Sequence, residues 1–282
     1  MPDVFGLAAI VTKIALYLGV LTSAGTVMAT LLFGLVRTRR LTLAFAIVGS
    51  FAAILAFSLR GSNLTGDVSG MTDPEMLGLL WNTPVGTALL LRLVGLSLLI
   101  TGLFMGRVGP WLSVLGGLIA IWSFAHVGHV YGRDTILLDI ALLWHLLAVA
   151  LWIGVLTPLK RLASSSNTYA SAADVGHRFG IIASVTVPVL IIAGGYMGYQ
   201  LVGSVSALIG AGYGQALIIK VLLVGGLLGL AAANKLRFIP ALRSGDPVAA
   251  KHLSNSLSVE WLFILAVLST TAVLTTQLTL PT

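Results

Sequence analysis

The chain has 282 residues, 57% of them hydrophobic and 9% charged, and its mean hydropathy is +1.03. A soluble domain is about a quarter charged, so the composition excludes a soluble enzyme and a disordered tail, and the absence of Cys excludes a disulfide scaffold. The 16 Lys and Arg against 9 Asp and Glu give a net charge of +7, which in a membrane protein points first to positive-inside topology and not to a nucleic-acid partner.

Apolar runs fall at about 6–36, 41–60, 84–105, 110–131, 135–157, 177–201, 214–236 and 254–279. About 20 apolar residues suffice to cross a bilayer, and the runs show no strict alternation, which argues against a transmembrane barrel. The expected fold is all-α, a polytopic bundle of about eight spans forming one integral membrane domain over 1–282. The first run carries Lys13 inside it and no basic segment ahead of it, so it is not read as a cleavable signal. The loops are too short for a soluble catalytic domain. Gly194 and Gly198, and Gly225 and Gly229, are spaced for close helix packing.

Loop charge orients the chain. Arg37, Arg39, Arg40, Arg107, Lys160, Arg161, Lys235, Arg237, Arg243 and Lys251 fall in odd-numbered loops, whereas the other side has Arg60 and Arg133 with Asp3, Asp67, Asp73, Glu75 and Asp134. Ten basic residues against two place the odd loops in the cytoplasm and both termini outside. In the long outer segment 61–83, Asp73-Pro74-Glu75 predicts a helix start. Residues 75–81 would then lie along the interface, anchored by Trp81. The Ser/Ala-rich stretch 162–176 is expected to be a polar linker, and a possible seam between a 1–106 part and the remainder.

Ionisable residues inside spans are costly unless paired, so they form the functional shortlist. They are Lys13, Arg92, His126, His129, Asp139, His145, His177, Arg178, Lys220 and Glu260. The densest group straddles the fourth and fifth spans, which a short loop makes expected antiparallel neighbours. His126 and His129 are three apart and would share one helical face, with Asp139 at similar depth. His145 would lie roughly 15 Å down, near the midplane. Imidazoles suit copper and zinc, and a carboxylate can ligate or orient them. Met71 and Met76 are weaker candidates, as thioethers suit Cu(I). His177 could mark a metal exit, and Glu260 could pair with Arg178. Trp111, Trp144, Trp152 and Trp261 read as belt or packing residues.

No P-loop, HExxH, dinucleotide fingerprint, CxxC or CPx signature occurs, which argues against an ATP-driven pump and against an enzyme. The segments Gly128-His129, Asp139-(x)5-His145-Leu-Leu-Ala-(x)3-Trp152-Ile-Gly154-Val-Leu-(x)-Pro158, His177-Arg178-Phe179-Gly180, Lys220-(x)10-Ala-Ala-Ala-Asn234-Lys-(x)4-Pro240 and Ser256-Leu-Ser-Val-Glu260 resemble the CopD family of bacterial copper resistance proteins. Thr83-(x)2-Gly86-(x)5-Arg92 also looks familial, while the first 80 residues match only as a generic helical pair. Gly180 stands where the family usually has Ser. The resemblance implies eight spans in the bacterial inner membrane, copper as the bound ion, and a periplasmic copper-binding partner of the CopC type. Its motifs cover His129, Asp139 and His145, and His126 joins them by proximity alone.

The expected function is copper import from periplasm to cytoplasm, with a metal site of His126, His129, His145 and Asp139, and with Met71, Met76, His177 and Glu260 as lesser candidates. Two other readings use the same residues. One is a transmembrane electron-transfer protein with haem between axial histidines, and the other is a scaffold that docks a periplasmic copper carrier and transports nothing.

Overall fold

The computed structural model describes residues 4–129 and 135–281. Within these, all regular structure is helical. The helices are α1 (Val4–Phe33), α2 (Arg39–Thr65), α3 (Pro74–Trp81), α4 (Pro84–Gly102), α5 (Gly109–Trp122), α6 (Ile136–Ala163), α7 (Tyr169–Val202), α8 (Val205–Gly210), α9 (Gly212–Ala233), α10 (Ile239–Arg243) and α11 (Pro247–Thr276). Short 3-10 turns occupy Val68–Met71, Ser123–His126 and Ser166–Thr168, and a π turn, Asn234–Phe238, joins α9 to α10. Among the described residues, eight helical segments are long and apolar enough to cross a membrane, as expected. An even number of spans returns both termini to one end. There Gln277 Nε2 donates to the Gly6 carbonyl at 3.4 Å, and the Tyr17 and Thr275 hydroxyls lie 3.4 Å apart. That end is called the terminal end below. Arg133, Asp134 and Asp3, which entered the loop charges, lie outside the described residues.

A shared capping signature starts three helices. Asp73, Thr83 and Asp246 sit in extended backbone, accept a backbone N–H two residues on, and are each followed by Pro. The side-chain oxygen satisfies an orphan donor, and Pro has no N–H to leave unpaired. Asp246-Pro247 therefore starts α11 seven residues before the apolar run at 254. The linker 162–176 shrinks for a similar reason of continuity. Helix α6 runs to Ala163 and α7 begins at Tyr169, so most of that polar stretch is helix. At the far end of α1, two arginines satisfy terminal carbonyls. Arg161 donates to the carbonyls of Val36 and Arg37, and Arg178 to that of Leu32.

Helix α1 is the hub. Small residues let it approach neighbours on several sides. Gly19 meets Gly49 of α2, Ala24 meets Gly117 of α5, and Gly25 meets Ala150 and Gly154 of α6. Helix α1 thus lies between α5 and α6, which touch each other little. The expectation that the fourth and fifth spans pack as a pair is corrected by this insertion. The α4–α5 hairpin also packs across position 106, so no seam opens there. Helix α9 lies at the edge of the bundle, with most of its surface facing outward.

Candidate functional site

The fourth span does not continue to 131 as expected. Helix α5 ends at Trp122 and a 3-10 turn carries the chain to His126. Val127 is then extended, and Gly128 takes φ +97, open to Gly at little cost. His126 and His129 therefore do not share a helical face. His126 stays under α5, its ring edge-on to Trp122 at 6.1 Å. His129 packs instead against α11 and α9. Its Nε2 lies 3.0 Å from the Leu274 carbonyl of α11, and its ring stands edge-on to Tyr213 at 5.5 Å.

Asp139 lies in the first turn of α6, half-buried, with no hydrogen bond or ion pair to any of these histidines among the described residues. His145 lies nine residues into α6 and faces α7. It makes a hydrogen bond with the Leu190 backbone, and its Nδ1 points towards Gly194, where an added Cβ would stand 3.6 Å away. Lys220 of α9 is near enough for its charge to act on His145. The Nδ1 atoms of His126 and His145 are both buried and have no hydrogen-bond partner among the described residues. Among the described residues, no three His, Asp or Glu side chains gather closely enough to hold one metal ion. His126 stays with the end of α5, His129 packs on α11 and α9, and His145 faces α7, so each histidine has a different set of neighbours.

Met71 and Met76, both partly buried, lie apart from them, in the 3-10 turn and α3 at the terminal end. His177 is exposed on α7.

Glu260 occupies a different place from the one expected. Arg178 pairs with Asp174 at 3.7 Å instead. Glu260 is 2% exposed and accepts two hydrogen bonds, from Trp152 Nε1 at 3.0 Å and from Asn234 Nδ2 at 2.5 Å. These three line a cavity of about 180 Å³ between α6, α7, the π turn and α11. The cavity wall is otherwise mostly apolar, with Lys235 and Ser184 bonded to each other on one side. The Oδ1 of Asn234, and the Ser256 hydroxyl one turn before Glu260 on α11, are buried without partners among the described residues. A π turn is uncommon and often marks function, and here it delivers Asn234 to the carboxylate.

By sequence Trp152 reads as a packing residue, and Asn234, a neutral amide, is not among the ionisable groups that form the shortlist. Their signal was the spacing of the motif segments that contain them. Trp152 follows His145 by seven positions, two helical turns, so both face α7. The cavity and His145 are thus stacked along one interface, about 10 Å apart at 1.5 Å per residue.

Two family models match the chain, namely Copper resistance protein D over residues 173–274 and Copper resistance protein D-like, N-terminal domain, over residues 1–138. The second corrects the view that the first 80 residues are only a generic helical pair. No curated protein and no solved structure matches. With both ends matched, eight membrane-crossing helices and the His145, Asn234 and Glu260 segments in place, the chain is a multi-pass membrane protein that belongs to the CopD copper resistance family.

Proposed function

We propose that the protein carries copper inward across the bacterial inner membrane, using single intramembrane histidines as successive transient stations. The supporting observation is the arrangement along α6 and α7. His145 presents a buried, unpartnered Nδ1 beside Gly194, two turns above the cavity that holds Glu260. A free imidazole lone pair is a copper ligand, and a buried carboxylate at the next cavity is a cation acceptor. His129 and His126 at the terminal end supply ligands at the outer mouth, and Asp139 in the first turn of α6 adds a carboxylate at that end. Met71 and Met76 offer thioethers there, and His177 lies at the opposite end, where the ion would leave.

Isolated ligands suit passage better than storage. A site with three or four ligands binds tightly and releases slowly, whereas one imidazole next to the Lys220 cation holds a copper ion weakly. The negative-inside potential favours inward movement of a cation by about 2.3 kcal/mol per charge per 100 mV, so no nucleotide is required. A periplasmic copper carrier of the CopC type would deliver the ion to the outer face.

The test is copper uptake by vesicles containing wild type, His145→Ala or His126→Ala, with folding checked by thermal unfolding. His145→Ala is expected to cut uptake by about tenfold or more, the size of loss seen when a residue supporting a metal site is removed. Unchanged uptake in both variants would remove transport through these residues and leave a docking scaffold. A Soret band in the purified protein would replace copper with haem.

A further inference from the structure

A second cavity, about 60 Å³, lies near the terminal end between α1, α2 and α4. Its polar lining is Lys13, Arg60, Asn63, Arg92 and Thr276, and no Asp or Glu lines it among the described residues. Arg92 is 6% exposed. Its Nε donates to Ser123 Oγ at 3.0 Å and its guanidinium lies 5.0 Å from the Phe124 ring centroid, yet its Nη2 is buried with no partner among the described residues. Lys13 Nζ stands 5.9 Å from the Tyr17 ring centroid and is repelled by Arg92 and Arg60. Among the described residues, the one ion pair is Arg178–Asp174, which lies at the other end of the bundle.

The buried Arg92 and the partly buried Lys13 repel one another, the exposed Arg60 adds to this, and the lower dielectric at the inner two strengthens the repulsion. A buried guanidinium N–H without an acceptor adds a further cost. Both are relieved by one occupant, an anion held in the cavity that Arg92 and Lys13 both line. Depth and size restrict its identity. Lys13 lies nine residues below the start of α1 and Arg92 eight below the start of α4, so roughly 12–14 Å from the helix ends. The inner end of the pocket is thus beneath the level of lipid phosphates, while the exposed Arg60 and Asn63 near the end of α2 form its mouth. The cavity has room for about two water molecules.

We propose that this pocket binds a small monovalent anion, a halide or a single carboxylate, which neutralises the Lys13, Arg60 and Arg92 cluster. The pocket adjoins the outer end of the proposed copper path, since Val127, between His126 and His129, lines it, but its occupant is read by tests that do not involve copper.

Crystals of the full chain soaked in bromide test it directly. The anomalous signal is expected in the pocket, within hydrogen-bond distance of Arg92 Nη2. In solution, thermal unfolding of the full chain in detergent, at constant ionic strength with gluconate as reference, is expected to rise saturably with chloride or formate and not with phosphate. Lys13→Met should remove that saturable rise while remaining folded. Arg92→Lys, which keeps a charge and loses the guanidinium fork, should weaken chloride by about tenfold, the scale of one lost charge-assisted hydrogen bond. An empty pocket in bromide crystals overturns the proposal. So does a chloride effect equal in wild type and Lys13→Met, or phosphate acting more strongly than chloride.

Discussion

Glu260 holds a carboxylate inside a bundle where an unpaired charge is expensive. Two donors, the Trp152 indole and the Asn234 amide, each take one of its oxygens. Such an arrangement serves either structure or cation handling, and two substitutions separate them. Glu260→Ala strands both donors in an apolar wall, which costs about 1–3 kcal/mol for each buried group left unsatisfied, so a lower unfolding temperature is expected whatever the role. Glu260→Gln keeps the shape and one acceptor oxygen but not the charge. It should remain folded, with an unfolding temperature close to wild type, and lose most copper uptake in vesicles. Full uptake by a folded Glu260→Gln would make the residue a strut. This carboxylate was legible in the sequence as an intramembrane acid, but its partners were not. Charge counting suggested Arg178, because a sequence displays charges and hides the neutral indole and amide that depth and facing bring to the oxygens. The histidines show the same limit. His126 and His129 read as one helical face because a three-residue spacing implies a helix, and Gly128 at φ +97 breaks it.

The eight spans were legible because apolar length is a property of each segment alone. Their neighbours were not, because a short loop guarantees sequence adjacency and not contact. Helix α1 inserts between α5 and α6 on a stripe of small residues. Glycine spacing by itself does not find such stripes. Gly225 and Gly229 have the packing spacing, yet an added Cβ at either meets nothing within 4 Å. Gly25 and Gly154 lack that spacing, and an added Cβ at Gly25 would overlap the Ala150 carbonyl, while one at Gly154 would overlap the Gly25 backbone. Gly25→Ala and Gly154→Ala must therefore push α1 from α6 and should destabilise by about 1–3 kcal/mol, the usual range for overpacking. Gly225→Ala and Gly229→Ala should leave the unfolding temperature unchanged or slightly higher, since Ala is the better helix former. Thermal unfolding of the four variants in one detergent decides it, and equal effects at all four positions would mean that α1 is not wedged between its neighbours. Element boundaries followed chemistry more local than hydropathy. Asp246-Pro247 starts α11 well before its apolar run, and the same Asp-Pro pairing was readable at 73–74 only because it stood in a loop.

At the scale of the whole molecule, direction of transport depends on which end faces the periplasm. The two ends differ chemically. The terminal end has His129, His126 and the cationic pocket, and the opposite end has the wider cavity with Glu260, the Arg161 and Arg178 caps and most loop Lys and Arg. The excess of basic residues in the loops at the opposite end is the signal that insertion machinery reads. On that basis alkaline phosphatase fused after Pro281 is expected to be active and a green fluorescent protein fused there dark, with both results reversed for insertions between Ser164 and Ser166. The prediction bears on mechanism as well as topology. With the terminal end outside, copper meets histidines first, loses hydration in exchange for imidazole, and reaches the carboxylate last, on the side where the potential has already drawn it. With the terminal end inside, the same stations run in the reverse order. The ion would then climb the potential by the same amount per charge, with no nucleotide-binding motif in the chain to drive it. A bright fluorescent fusion after Pro281 would therefore remove inward transport along this path, and would require a coupled ion to be sought at Glu260.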